Sequence, residues 1–263
     1  MRTTLFRVAS AAALATLTLT SVTATAAAQS GARDLMFAID TTGSMAPYIE
    51  QTKIAVDDLA TDLASESAGT RVGLVEYRDA GDPFQARTVT DLTTNLPTFR
   101  GGLDGLGVDG GGDWPESVYS GIALSLCQAW NSSSVKAIIA VGDAPAKDPE
   151  PVTDLTADRI IALANGTATD NPYCAPAAVA AAAVSPMATG NRVPIFVVSA
   201  DGELTAQFAR IAEETGGATV PVEDIEDIAE AIKDTVDVID EGDGGLFGSL
   251  EGSLENLSGS AGN

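Results

Sequence analysis

Asp40-Thr41-Thr42-Gly43-Ser44 sets one carboxylate and two hydroxyls at alternate positions, Asp40, Thr42 and Ser44, beside a glycine. If the backbone turns there, all three oxygens can face one point. Hard oxygen donors suit Mg²⁺ or Mn²⁺, and hydroxyls add lone pairs without adding charge. A plainer reading also stands: Thr42 or Ser44 caps a helix beginning near Ala46. Two more acidic stretches join the first, Gly110-Gly111-Gly112-Asp113-Trp114-Pro115-Glu116 and Gly142-Asp143-Ala144-Pro145.

Other chemistries are poorly served. The chain has no histidine, so it has no Ser-His-Asp or Cys-His machinery and no imidazole for zinc. Neither G-x-S-x-G nor a P-loop occurs. Asp40-Thr41-Thr42-Gly43 has one residue too many for the Asp-Thr-Gly of aspartic proteases, and no second copy exists. Its echo of the phosphorylated Asp-x-Thr-Gly-Thr of ion pumps lacks their membrane domain. Paired carboxylates around a metal leave a metal-dependent hydrolase as the remaining enzymatic alternative.

The elements that must carry these residues alternate between strand and helix. Leu35 to Ile39 is a continuous apolar run ending at Asp40, as expected of a strand buried on both faces. Helical spacing of Ile49, Val56, Leu59 and Leu63 follows, then a strand from Val72 to Tyr77 and a more exposed one from Ala86 to Thr90. A short helix is expected over Asn95 to Leu103 before the glycine-rich loop Gly105 to Gly112. Pro115 stands where a helix with Val118, Ile122 and Leu126 would begin. Val135 to Val141 reads as a buried strand, Thr153 to Ala164 as a helix, and Pro194 to Val198 as a strand. The helix of Leu204, Phe208, Ile211 and Ala212 stops at Gly216-Gly217, and Ala218 to Val220 is strand-like. Ile225, Ile228, Ile232, Val236 and Ile239 mark a last helix. This alternation predicts a doubly wound, mostly parallel central sheet flanked by helices, with ligands at the carboxyl ends of the strands. Asp40 and Asp143 both fall at such ends.

In order along the chain stand Asp40 to Met45, Tyr77-Arg78-Asp79, Gly110 to Glu116, Gly142 to Pro145, and Ile211 to Gly217. Together these resemble the von Willebrand factor A domain with its metal-ion-dependent adhesion site, in the branch carrying D-T-T-G-S-M, Y-R-D, G-G-G-D-x-P-E and G-D-A-P. The likeness is read as that of a secreted, bacterial protein, with the domain over residues 33–240. It implies a Rossmann-like fold bearing one divalent ion, Mg²⁺ with Mn²⁺ or Ca²⁺ as alternatives. Asp40, Thr42, Ser44 and Asp143 would hold it. Asp113 falls where many relatives place a threonine. It joins the expected site, binding through water or accepting a hydrogen bond behind the ligands. A third aspartate would neutralise the ion and disfavour capture of an acidic partner residue. The implied function is non-catalytic: a protein or glycan partner bound at the metal face. The alternative is a purely structural ion with binding elsewhere, for instance through the C-terminal tail.

Composition fits export and argues against two partner classes. With 37 Asp+Glu against 14 Lys+Arg, the formal charge is −23, which disfavours nucleic acid and anionic lipid. At 45% hydrophobic and 19% charged residues, the chain can still bury a core. Residues 1–28 have the parts of a signal peptide: Arg2 and Arg7, an uncharged run from Val8 to Val22, and small residues up to Ala28. Cleavage there would leave a secreted, extracellular or periplasmic protein with no membrane insertion. Cys127 and Cys174 are expected to pair as a disulfide in that compartment, two separate buried thiols being the alternative. Residues 165–191, Ala-rich and punctuated by proline, read as an insertion with a helix around Ala177 to Val184. Residues 241–263 read as a flexible tail of Gly, Ser and Glu. Leu246, Leu250, Leu254 and Leu257 could alternatively align as a weak amphipathic helix on a partner.

Overall fold

The computed structural model describes residues 32–67, 69–174 and 192–222, together with Asp227, Glu230, Ala231 and Thr235. The expected signal peptide, the expected helix around Ala177 to Val184 and the expected tail lie outside these residues. So does most of the last helix, of which Glu230, Ala231 and Thr235 are helical.

The first strand, β1 (Arg33–Asp40), is buried along its whole length. Its side chains alternate between two cores. Leu35, Phe37 and Ile39 face α1 (Ile49–Glu66) and α2 (Leu96–Asp104), whereas Met36 and Ala38 face α3 (Val118–Leu126), α4 (Ala157–Ala164) and α5 (Gly202–Thr215). That two-sided burial explains why β1 reads as an unbroken apolar run rather than an alternating one.

Six strands form the sheet. With β2 (Arg71–Tyr77), β3 (Ala86–Thr93), β4 (Val135–Gly142), β5 (Ile195–Ser199) and β6 (Thr219–Pro221), the order is β3-β2-β1-β4-β5-β6. Only β2 and β3 pair antiparallel. The sheet is therefore mostly parallel and doubly wound. Its strand order runs outward from β1 in both directions, so the crevice above the β1/β4 pair is the topological switch point where such folds bind ligands.

Helix ends follow their sequence signals. Asn95, Thr156 and Asp201 cap α2, α4 and α5 by accepting from Thr98 N, Arg159 N and Leu204 N. Two starts lie later than expected. Pro115 does not open α3, because Glu116 is held in extended pairing with the β4 side of the molecule. Glu116 N donates to Pro145 O at 2.9 Å and Lys147 N to Glu116 O at 3.0 Å, so the helix begins at Val118. Likewise Thr153 stands in a loop closed on Glu150. Glu150 N donates to Leu155 O, and Glu150 accepts from the Thr153 and Ser120 hydroxyls.

Cys127, just past α3, is bonded to Cys174 across a separation of 47 residues. The nearby Asn171 amide donates to Ala123 O at 2.7 Å, so this segment is pinned to α3 twice. Closing a loop of that length restricts the unfolded chain, and reduction should cost about 2–4 kcal/mol. Urea unfolding with and without reductant measures this. Alkylation should add mass only after reduction, and uptake without it would contradict the pairing.

Candidate metal centre

The site is built on the ends of β1 and β4. Asp40 is the last residue of β1, and the chain then turns sharply. Thr41 N donates to Tyr77 O at 3.0 Å, Asp109 N to Thr41 O at 3.0 Å, and Gly43 N to Gly110 O at 3.2 Å. These bonds tie the Asp40 loop to β2 on one side and to the glycine-rich loop on the other. A short 3-10 turn, Gly43–Met45, finishes the loop. Thr42, which begins that turn, makes no side-chain cap, so its hydroxyl is not used in helix capping.

Four of the five expected residues converge. The Thr42 hydroxyl donates to Asp40 Oδ1 at 2.7 Å and lies 3.1 Å from Ser44 Oγ, which donates to Asp143 Oδ1 at 2.9 Å. Thr42 N also reaches Asp40 Oδ1, at 2.8 Å. Asp40 and Thr42 are buried, whereas Ser44 stands exposed at the mouth. The result is a row of oxygens from two strand ends, anionic at both tips.

Two glycines admit this approach. A Cβ on Gly142 would lie 2.4 Å from Tyr77 Oη and 3.4 Å from Asp40 Cβ, so only glycine lets β4 pass so close beneath Asp40. Gly111 has φ +75°, and a Cβ there would meet Thr42 Cβ at 2.8 Å and Glu116 Oε1 at 3.0 Å.

The electrostatics are those of two acids crowded together in a buried place. Burial pushes the Asp40 carboxyl up to about 7, against the lowering effect of its Thr42 bonds, and Asp143 raises it further. Asp143 is also raised, by burial first, with Ser44 opposing. Tyr77 beneath them is raised by burial and by the charges of Asp40 and Asp143. Asp40 Oδ2 is buried and accepts no hydrogen bond among the described residues. A buried carboxylate oxygen without a donor is costly, and a hard cation satisfies it. Two carboxylates and two hydroxyls fit Mg²⁺ chemistry. Among the described residues no group of three or more Asp, Glu, Cys or His could hold a metal. The donor set would therefore depend on its hydroxyls.

Asp113, the fifth expected residue, is placed elsewhere. Its side chain is 71% exposed and pairs at 3.1 Å with Lys147, which also binds the buried Asp79. This ion pair holds Asp113 below the usual carboxylate range. Composition offers one clue to Lys147: with only 14 Lys+Arg in the chain, a lysine two residues past Asp143-Ala144-Pro145 stands out. Glu116, the last residue of the Gly110 to Glu116 motif, is buried, and desolvation lifts it to about 8 with Asp40 and Asp79 adding to the rise. Arg78 is more than a rim charge: it donates to Thr41 Oγ1 at 3.1 Å and Gly107 O at 2.8 Å, bracing two loops of the site. Trp114, next to Asp113 in the chain, is 49% exposed, and its indole N–H donates to Glu203 at 3.4 Å.

Comparison with known proteins agrees with this architecture. The family described as von Willebrand factor A domain matches residues 34–168. Over 119 residues the chain is 30% identical to the alpha-protein kinase vwkA of Dictyostelium discoideum. That match takes in 44% of this chain and 19% of the kinase, so the chain spans about a fifth of that relative's length. Among solved structures, the SpRpn10 VWA domain superposes with a TM-score of 0.50 at 14% identity. The match covers 76% of this chain and 93% of that one, a likeness of fold.

Because Asp40 binds its proton more tightly folded than unfolded, its protonation stabilises the metal-free fold fully below about pH 4, and that contribution is lost as pH rises to about 7. In chelator, the thermal midpoint should fall across this window. The fall should be shallower in Asp40→Asn, and a wild-type profile matching the variant's would contradict the assignment. Gly111→Ala should lower stability by about 1–3 kcal/mol through its strained φ and its clash with Thr42, read by urea unfolding.

Proposed function

The chain belongs to the von Willebrand factor A domain family, and from that premise we propose that it is an exported, non-catalytic binding module that presents a divalent cation to a protein or glycan partner. Domains of this family often mediate protein interactions, which supports the general reading. The observation that carries the specific one is the row Asp40–Thr42–Ser44–Asp143 with the unpartnered, buried Asp40 Oδ2 at its inner end. Asp40, Thr42, Ser44 and Asp143 would hold Mg²⁺, leaving a position for a partner oxygen at the exposed Ser44 end. When bound, the ion would neutralise the two carboxylates and supply an electrophilic contact point on an otherwise acidic surface.

Absence of catalysis is part of the proposal. Domains of this family are generally non-catalytic, which supports that part of the reading. The kinase relative is matched over a stretch that forms about a fifth of it. Export rests on the leader-like residues 1–28 and is supported by the Cys127–Cys174 disulfide, a bond that persists in oxidising compartments. In this reading the domain occupies residues 33–240 and the mature protein is secreted or periplasmic.

Calorimetric titration of Mg²⁺ into the purified protein tests the site. Wild type should bind one ion, and Asp40→Ala should weaken binding by more than about 100-fold. No binding by wild type would overturn the metal assignment. A pull-down from surface extract should recover the partner in Mg²⁺ and lose it in EDTA. Recovery insensitive to EDTA would place partner binding away from the ion.

A further inference from the structure

Among the described residues, large apolar side chains stand exposed at Ile54, Val152 and Trp114. Trp114 alone of these is aromatic, and it belongs to the glycine-rich loop that packs on Thr42. Its indole N–H donates to Glu203 Oε2, which ties that loop to the first turn of α5. The two residues ride on a common frame. Glu116, two residues past Trp114, pairs with Ala146 in an extended bridge. Gln207, one turn past Glu203, grips the same Ala146 from both sides: it accepts from Ala146 N at 2.7 Å and donates to Ala146 O at 2.8 Å. Trp114 and Glu203 are therefore placed beside each other before any partner arrives, which spares a binding event the cost of ordering them.

The surroundings favour a cation. Residues 109–116 and 200–207 contain Asp109, Asp113, Glu116, Asp201 and Glu203, and no lysine or arginine. Lys147 is 11% exposed and is spent on Asp79 and Asp113. Glu203 is exposed, and among the described residues no hydrogen bond reaches its other oxygen, Oε1. The face of an indole ring attracts a cation within about 6 Å of its centroid, and tryptophan does so best of the aromatic residues. A guanidinium can lie flat on the ring and still give its N–H donors to a carboxylate at the ring edge. The chain already uses this pairing internally: the Arg87 guanidinium lies 4.3 Å from the centroid of Phe84 while its Nε donates to Glu76 at 2.6 Å.

We propose that Trp114 and Glu203 form a subsite for an arginine side chain of a protein partner, at the rim of the metal face. This rests on reading that face as a partner surface and does not depend on the ion. A neutral sugar could stack on the same ring, but it would leave the carboxylates unmatched, whereas an arginine complements them.

The test is an NMR titration of the full chain with acetyl-Gly-Arg-Gly-amide, reading the Trp114 indole N–H and the backbone amides of the first turn of α5. Trp130→Phe assigns the Trp114 indole signal. Both signals should shift saturably, and the same peptide with citrulline for arginine should bind at least about 5-fold more weakly. Trp114→Leu should weaken binding about 5-fold, and Glu203→Gln about 3-fold. Glu213→Gln, an exposed acid at the far end of α5, should change it by less than about 1.5-fold. Each of these variants alters an exposed side chain, and the spectrum itself reports that the fold is kept. Equal binding of the citrulline peptide, or equal losses in Glu203→Gln and Glu213→Gln with none in Trp114→Leu, would overturn the proposal. Saturable shifts with chitotriose but not with the arginine peptide would overturn it in favour of a glycan. The arginine peptide should bind in Mg²⁺ and in EDTA alike. Wild type that binds the peptide but no Mg²⁺ sinks the metal reading alone, and wild type that binds Mg²⁺ but not the peptide sinks only this inference.

Discussion

Two carboxyl groups stand at the ends of neighbouring strands at the middle of the sheet, and burial opposes the ionisation of both. Asp40 is fully buried, its charge opposed by desolvation and by Asp143. The surrounding architecture accommodates that demand. Thr42 and Ser44 bridge the two acids with hydroxyls instead of further charge. Gly142 brings β4 under Asp40, and Gly111 lets the glycine-rich loop close over Thr42. Replacing the acids by apolar residues would relieve the burial cost but would discard the chemistry, as expected of a site whose local cost is tied to function.

Around this pair the fold divides its labour. The strands supply position: β1 sits between β2 and β4, anchored by cores on both faces, so its final residue cannot shift without disturbing both. The loops supply chemistry and are laced to one another by Arg78, Glu116 and Lys147 rather than by apolar packing. Among residues 77–82, 109–116 and 147 the positive charges are Arg78 and Lys147, and each is spent inward on a loop or a buried acid. The outer rim, with Asp109, Asp113 and Glu203, is left negative. In the proposed function, a partner would meet an acidic collar around the bound ion.

Much of this was legible in the sequence because it is local or periodic. β1 and β4 announce themselves as unbroken apolar runs, since both faces are buried, and Asp40-Thr41-Thr42-Gly43-Ser44 is a single contiguous turn. The misread features are those set by distant partners. Nothing near Pro115 signals that Glu116 will pair with Ala146, so α3 was expected two or three residues early. Nothing near Thr153 signals that Glu150 will gather the loop. Asp113 is held by a lysine 34 residues away, and an ion pair at that separation leaves no pattern in either segment. The family resemblance put Asp113 with the expected site, and in three dimensions its carboxylate pairs with Lys147.

The disulfide has a topological consequence for this centre. The loop it closes, from Cys127 to Cys174, contains β4, Asp143, Lys147 and α4, while Asp40, Thr42, Ser44 and Asp113 lie outside it. One of the four cradle residues, Asp143, is therefore inside a covalent ring and the other three are outside. A protease cutting the exposed turn at Val152 would open the ring without releasing either piece. Such a nicked chain would still carry all four residues on one covalently connected molecule.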